Sequence, residues 1–349
     1  MGDLNPEGQE GLIARVINRG LCVRCGACVG LCPYFDYFDG KTVVMDLCHA
    51  GTFRCLQLCP VAGFSGTTPV KQGTDGEIGV YRKILMARST AAAIRKRSQY
   101  GGVVSTLIIY ALEKGRIASA VLTDAGDPFA PQGKIVENRA EVLDCAGSRY
   151  SASGSLSAMN TAIKKGHGKL GVVGVPCQME ALGRMRQMEP DGVQMAKAVA
   201  LKIGLFCTWA LDYTRLEAYL AREDVNGPVL KFDIPPPPSE EFKVLTETGW
   251  RHFPLSDVRP MVQKGCSLCE DMTAELADIS VGTVEGQDGW NTVIARTDTG
   301  MTVLEHAVEE GWLETSDLPD SNLDHLKEAA HNKRERGKKA KHDGHEEIP

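Results

Sequence analysis

The sequence predicts two parts: a small cysteine-rich domain at the N-terminus and a larger α/β core built on a mixed sheet. Three observations carry this. Seven of the twelve cysteines fall between Cys22 and Cys59. Residues 61–79 then turn to Gly, Thr, Pro and Gln, the composition of a linker. From Tyr81 onward, short apolar runs alternate with amphipathic ones, as strands and helices do in turn. The boundaries this gives are 1–65 for the first domain, 66–80 for the linker, 81–325 for the core and 326–349 for a charged tail.

Each element has its own signal. Residues 1–20 read as a lead-in helix ending at Gly20, and GKTVVMD (Gly40–Asp46) as a turn and strand. The core opens with a strand in YRKILMARST (Tyr81–Thr90), followed by a Gly pair and an apolar helix ending at Gly115. Ala118–Asp124 is a buried strand. A Gly/Ser-rich turn and a helix lead to the strand Lys169–Cys177, then come helix QMEALGRMRQM, strand VALKIGLFC and helix DYTRLEAYLARED. Strands near Val229–Ile234 and Phe242–Thr246 precede GCSLC. ADISVG and NTVIART are two more strands, and Met301–Gly311 a helix. The tail after Leu326 mixes charges, as a solvated, frayed helix does; the other reading is a basic arm that docks a partner subunit.

Composition narrows the function. The 349 residues carry a net charge of −6, with 43% hydrophobic and 24% charged residues, so no overall basic field invites nucleic acid. The runs Val103–Leu112 and Leu201–Leu211 fall short of the roughly 20 apolar residues of a membrane span. Met1 to Glu10 is polar, without the apolar stretch of a secretion signal. Cysteines clustered at metal spacings in so long a chain argue against disulfides. These observations predict an oxygen-sensitive cytoplasmic redox protein.

CVRCGACVGLCP (Cys22–Pro33) is C-x2-C-x2-C-x3-C-P, the bacterial ferredoxin ligand run. Zinc sites use separated pairs instead, so iron–sulfur is favoured. The second half, CHAGTFRCLQLCP, departs from the pattern: Thr52 stands where a ligand belongs and Cys48 is displaced by one. Under the pairing rule of two-cluster ferredoxins, Cys22, Cys25, Cys28 and Cys59 complete one cubane. Cys32, Cys48 and Cys55 remain for a second cluster. It is three-iron, or takes a fourth ligand such as His49, Asp46 or a distant Cys, or has been lost.

Four further cysteines are dispersed. Cys177 and Cys207 each follow an apolar strand, and Cys266 and Cys269 form a CxxC turn. The carboxyl edge of an open α/β sheet is where ligands bind. From spacing alone the set is an iron–sulfur site, a zinc site or buried free thiols. Cys145 reads as a plain buried thiol, with an eighth ligand as the alternative. Gly101-Gly102 and Gly147-Ser148-Arg149-Tyr150 each precede a helix; either binds a pyrophosphate through free backbone N–H groups or is ordinary turn chemistry.

Several blocks share one resemblance. ARST (Ala87–Thr90), YGGVVSTLIIYALEKGRI (Tyr100–Ile117), AGSRY (Ala146–Tyr150), GVPCQ (Gly174–Gln178), IGLFC (Ile203–Cys207), GCSLCEDMTAELADISVG (Gly265–Gly282) and DGWNTVIARTDTG (Asp288–Gly300) stand in this order. Together they resemble the beta-subunit family of coenzyme F420-reducing hydrogenases and F420-dependent dehydrogenases. With the ferredoxin stretch in front, the layout is similar to the input subunit of the F420H2 dehydrogenase complex.

The resemblance implies a core that binds FAD beside a 4Fe-4S cluster and exchanges hydride with coenzyme F420. Cys177, Cys207, Cys266 and Cys269 would be the cluster ligands. Gly101, Gly102, Ser105, Gly147, Ser148, Arg149, Tyr150 and Pro176 would line the FAD. Asp278, Gly282, Asp288, Gly289, Trp290 and Asn291 would belong to the same neighbourhood. No acid–base residue is required, because hydride passes directly between the two rings. The implied partners are hydrogenase, formate dehydrogenase, heterodisulfide reductase or membrane dehydrogenase subunits, and the implied location is cytoplasmic or peripheral to a membrane complex. One stretch departs from the family: FDIPPPPSEEFKVLTETG is stiff and acidic where relatives carry a Lys-containing aromatic loop. A different donor, NADH or ferredoxin, or a flavin-free relay adaptor, is the competing expectation.

Overall fold

The structure is a computed structural model that describes residues 8–49, 54–62, 76–188, 191–225 and 227–346. The start of the expected lead-in helix, most of the expected linker and the last three residues of the tail lie outside the described residues.

The N-terminal segment has little regular structure of its own. A short helix, Gly8–Leu12, runs into a π-helical turn, Ile13–Ile17, so the lead-in helix stops short of Gly20. The hairpin β1 (Phe35–Phe38) and β2 (Lys41–Val44) lies between the two cysteine runs, and helix Arg54–Leu58 carries Cys55. Leu12, Val16, Leu21, Val29, Phe35 and Leu56 make a small core under these turns.

The core is an eight-stranded mixed sheet. Its strands are β3 (Lys83–Ser89), β4 (Ser119–Thr123), β5 (Gly133–Val136), β6 (Leu170–Gly174), β7 (Val199–Leu205), β11 (Ile279–Thr283), β12 (Asn291–Ala295) and β13 (Leu313–Ser316). They lie in the order β13-β3-β12-β11-β7-β6-β4-β5. The centre, β4-β6-β7-β11, is parallel, and antiparallel strands flank it on both sides. A β-strand followed by a helix returns to a parallel neighbour, which places every βα turn of the centre at one edge. Burial on both faces explains why β6 reads LGVVG without polar alternation, and all five of its residues are buried. Helix Val103–Glu113 is fully apolar around Leu107–Tyr110 for the same reason.

Three antiparallel strands, β8 (Val229–Asp233), β9 (Glu241–Thr246) and β10 (Gly249–Pro254), form a separate sheet. Phe232, Phe242, Val244 and Phe253 pack it on helix Tyr213–Arg222, which Asp212 caps by accepting from the Arg215 N–H at 3.2 Å. The Pro235–Pro238 run is the loop from β8 to β9.

The tail corrects an expectation. Residues 327–346 do not fray into solvent; they continue the helix Asp320–Glu346, which lies along the core. Ala330 packs beside Ile78 and Ile294, and Arg334 reaches Glu275 at 2.6 Å. The mixed charges concealed that one face is buried.

Candidate functional site

The first thiol set is assembled by the ferredoxin run and the far end of the second cysteine stretch. Cys22, Cys25, Cys28 and Cys59 line one cavity, with Val16, Leu58 and Pro60 as its apolar walls. Burial, and then the neighbouring thiols Cys59 and Cys22, push the Cys25 thiol far above its ordinary value. Burial does the same to Cys28, helped by Cys25, Cys22 and Cys59. Cys59 is pushed up to about 12, mainly by burial. Thiols buried this close become thiolates together only around positive charge, and iron in a cubane supplies it. The donor set fits the group.

Cys32, Cys48 and Cys55 stand together as a second set: burial, then Cys32 and Cys48, push Cys55 up to about 11. The Cys48 N–H donates to Gln9 Oε1 at 2.7 Å. Asp46 uses Oδ1 to accept from the Leu47 N–H, and residues 50–53, beside His49, lie outside the described residues.

The dispersed cysteines converge. Cys177 sits at the second position of helix Pro176–Met185, directly after β6, and Cys207 two residues past the end of β7. The 3-10 turn Lys264–Leu268 carries Cys266 and ends at Cys269. The Cys207 N–H donates to the Met272 carbonyl at 2.9 Å, which ties the two loops. The Ala210 N–H points at Cys266 Sγ at 3.4 Å. Burial first, then Cys25, Cys269, Cys207 and Cys266, raise the Cys177 thiol well above its ordinary value. That one residue therefore feels both thiol sets. Among the described residues no three His, Cys, Asp or Glu side chains close around a single ion. Four cysteines brought together in this way are a donor set that suits a 4Fe-4S cluster.

Close approaches hold the sets side by side. A Cβ on Gly26 would strike the Gly154 carbonyl, and one on Gly265 would strike the Leu21 carbonyl, so the first Cys run is wedged between two core loops. Arg24, inside that run, donates to Asp212 Oδ2 at 2.5 Å. Asn160 Nδ2 donates to the Ala27 and Val29 carbonyls, both at 2.8 Å.

The expected FAD-lining residues occupy the same sheet edge. Gly101 and Gly102 open helix Val103–Glu113, where the Val103 N–H donates to Asn291 Oδ1 at 3.4 Å. Asn291 Nδ2 donates to the Gly282 carbonyl at 3.0 Å, binding the hairpin that carries Asp288, Gly289 and Trp290. Trp290 stacks under the Arg88 guanidinium at 4.5 Å. Ser105 Oγ accepts from Ser98 Oγ at 3.4 Å. Tyr150 Oη donates to Asp233 Oδ1 at 3.5 Å and accepts from the Ile234 N–H at 3.0 Å. Four buried polar atoms at this edge lack a protein partner among the described residues: Arg149 Nε, Ser151 Oγ, Ser89 Oγ and Gln99 Oε1. Buried polar atoms are rarely left so, and a polar ligand would complete them.

Asp278 is not part of this group. It lies just before β11, at the far end from Gly282, about 13 Å along the strand at ~3.3 Å per residue. There it accepts from the Lys202 N–H at 2.8 Å and from Thr297 Oγ1 at 2.9 Å, holding β7 to the next helix. Gln178 was overlooked by residue-level reading. Its Oε1 accepts from the Val175 N–H at 2.9 Å, and its Nε2 donates to Ser153 O and Ser155 Oγ, both at 2.8 Å. It joins the Cys177 turn to the loop behind Tyr150. A Gln one residue after a strand-end Cys was the available signal.

A mixed α/β core with thiols at its strand ends, docked on a ferredoxin-type run, defines an iron–sulfur electron-transfer protein. Comparison with known proteins narrows that class. Residues 84–160 match the N-terminal model, and 167–321 the C-terminal model, of the coenzyme F420 hydrogenase/dehydrogenase beta subunit; residues 15–35 match a 4Fe-4S binding domain. The coenzyme F420 hydrogenase beta subunit of Methanothermobacter thermautotrophicus is 36% identical over 70% of this chain and 87% of its own. A subunit of the F(420)H(2) dehydrogenase of Methanosarcina mazei is 28% identical over 82% of each chain. A chain of the F420-reducing [NiFe] hydrogenase complex from Methanosarcina barkeri superposes with a TM-score of 0.71, at 32% identity over 77% of this chain and 94% of that one. The chain belongs to the coenzyme F420 hydrogenase/dehydrogenase beta-subunit family, and its class is an oxidoreductase subunit. No helix among the described residues is long and apolar enough to cross a membrane.

Proposed function

We propose that this chain exchanges hydride with coenzyme F420 through a bound FAD and passes the electrons singly to partner redox subunits through 4Fe-4S clusters. The observation that carries the reading is the sheet edge where Cys177 and Cys207 follow β6 and β7 and where four buried polar atoms have no protein partner among the described residues. The flavin, when bound, supplies the conversion between a two-electron hydride and single electrons. The protein's own residues do the rest. Arg149, whose charge burial disfavours, offers a guanidinium for a pyrophosphate. Gln178 and Asn291 fix the loops that would hold the rings.

Cys177, Cys207, Cys266 and Cys269 would hold the cluster next to the flavin. Cys22, Cys25, Cys28 and Cys59 would hold a second and Cys32, Cys48 and Cys55 a third. Partners are redox subunits of the kinds its relatives are named for, hydrogenase or dehydrogenase. Anaerobically purified protein given F420H2 is expected to bleach its flavin absorbance. No bleaching with F420H2, but rapid bleaching with NADH or reduced ferredoxin, would overturn the donor assignment. A sample that releases no flavin on denaturation would leave only a relay.

A further inference from the structure

The helix Asp320–Glu346 lies almost wholly beyond the residues that match the family, yet it crosses both loops that carry Cys207 and Cys269. Lys333, on this helix, is 3% exposed, and its Nζ donates to the Cys207 carbonyl at 2.5 Å. The Cys207 and Cys269 thiols and the Asp271 carboxylate are its charged neighbours. Its hydrogen-bonding partners are a carbonyl and a thiol, so among the described residues no carboxylate neutralises it by direct contact. The helix is seated closely. A Cβ on Gly337 would stand 2.9 Å from the Cys269 carbonyl oxygen. Arg336 donates to the Thr208 carbonyl at 3.3 Å, and Lys341 pairs with Glu270 at 2.7 Å.

A buried ammonium is costly unless negative charge stands beside it. Four thiolates around a cubane supply that charge, and one more electron adds to it. We propose that Lys333 sets the reduction potential of the cluster held by Cys177, Cys207, Cys266 and Cys269, its positive charge favouring the reduced form. The C-terminal helix is the element that holds it there. This rests on the cluster reading above. The step is one electron in and one negative charge gained, with no bond made and no proton moved.

The test is a redox titration followed by electron paramagnetic resonance on the anaerobic full-length protein. The relevant signal is the one that Cys266→Ala removes, together with its iron. If Cys266→Ala removes neither, the cluster reading itself fails. With that signal assigned, Lys333→Gln is expected to lower the reduced-to-oxidised ratio by about tenfold, ~59 mV for a one-electron couple. Lys333→Arg, which keeps the charge, is expected to stay near the native potential. An unchanged potential in Lys333→Gln, or an equal fall in Lys333→Arg, overturns the role given to the charge. Should Lys333→Gln lose its iron, Gly337→Ala takes its place. Its methyl group moves the helix, and the charge with it, off the Cys269 loop. A lowered potential is expected there too, and an unchanged one overturns the proposal.

Discussion

Burial pushes the Cys145 thiol up to about 11; the charges of Lys134, Asp124, Arg149 and Asp144 also act on it. A thiol reacts through its thiolate, so its labelling rate follows the fraction ionised. An ordinary thiol levels off above about pH 8.5. Cys145 is therefore expected to label with iodoacetamide at a rate that climbs about tenfold per pH unit up to about pH 11. Mass spectrometry of the modified peptide reads this directly, and a plateau near pH 8.5 would refute it. Cys145→Ser is expected to keep its full iron content, because none of the groups acting on Cys145 belongs to any of the three thiol sets. Single residues also show where sequence reading ends. The close run Cys22–Cys32 was legible because a ligand run is local. Asp278 was misplaced because it shares a block with Gly282, and a strand then carries the two apart.

The Arg24–Asp212 pair joins the ferredoxin run to the core, and its side chains are 9% and 18% exposed. Such a pair stabilises little against a well-packed apolar substitute, yet removing one partner strands the other. Arg24→Ala is expected to cost about 3 kcal/mol, since Asp212 keeps its cap on helix Tyr213–Arg222 but loses its counter-charge. Urea unfolding followed by visible absorbance and by circular dichroism would show the cluster signal lost first. Coincident, unshifted transitions would mean that Gly26, Gly265 and Asn160 hold the interface without the pair. At this scale the sheet strands were legible from apolar runs such as LGVVG. The strands Gly133–Val136, Gly249–Pro254 and Leu313–Ser316 were not, because they are edge strands whose mixed composition carries little period. The helix Asp320–Glu346 was hidden in the same way: Ala330, Lys333 and Gly337 are buried in an otherwise charged segment.

Across the whole molecule, the thiol sets lie in an order that only the fold reveals. Sequence placed Cys177 well over a hundred residues from Cys25, and the resemblance supplied its ligand role; the wedge of Gly26 against Gly154 brings the two within electrostatic reach. Cys55 feels Cys32 and Cys48, and Cys28 of the first set in turn feels Cys55. On the proposed function this gives a linear path, from the sheet edge to the dispersed thiols, to Cys22, Cys25, Cys28 and Cys59, and on to Cys32, Cys48 and Cys55. A linear path makes a prediction that a shared site does not. Cys28→Ser interrupts the path beyond the flavin edge. F420H2 should still bleach the flavin at close to the native rate, because Gly101, Arg149, Tyr150 and Asn291 are untouched. The cluster held by Cys177, Cys207, Cys266 and Cys269 should also reduce at close to the native rate, whereas reduction of the one held by Cys32, Cys48 and Cys55 should slow by at least tenfold in the same stopped-flow trace, a barrier raised by more than about 1.4 kcal/mol. Were flavin bleaching itself to slow as much, the ferredoxin run would be helping to build the flavin edge, and the order of transfer would have to be redrawn.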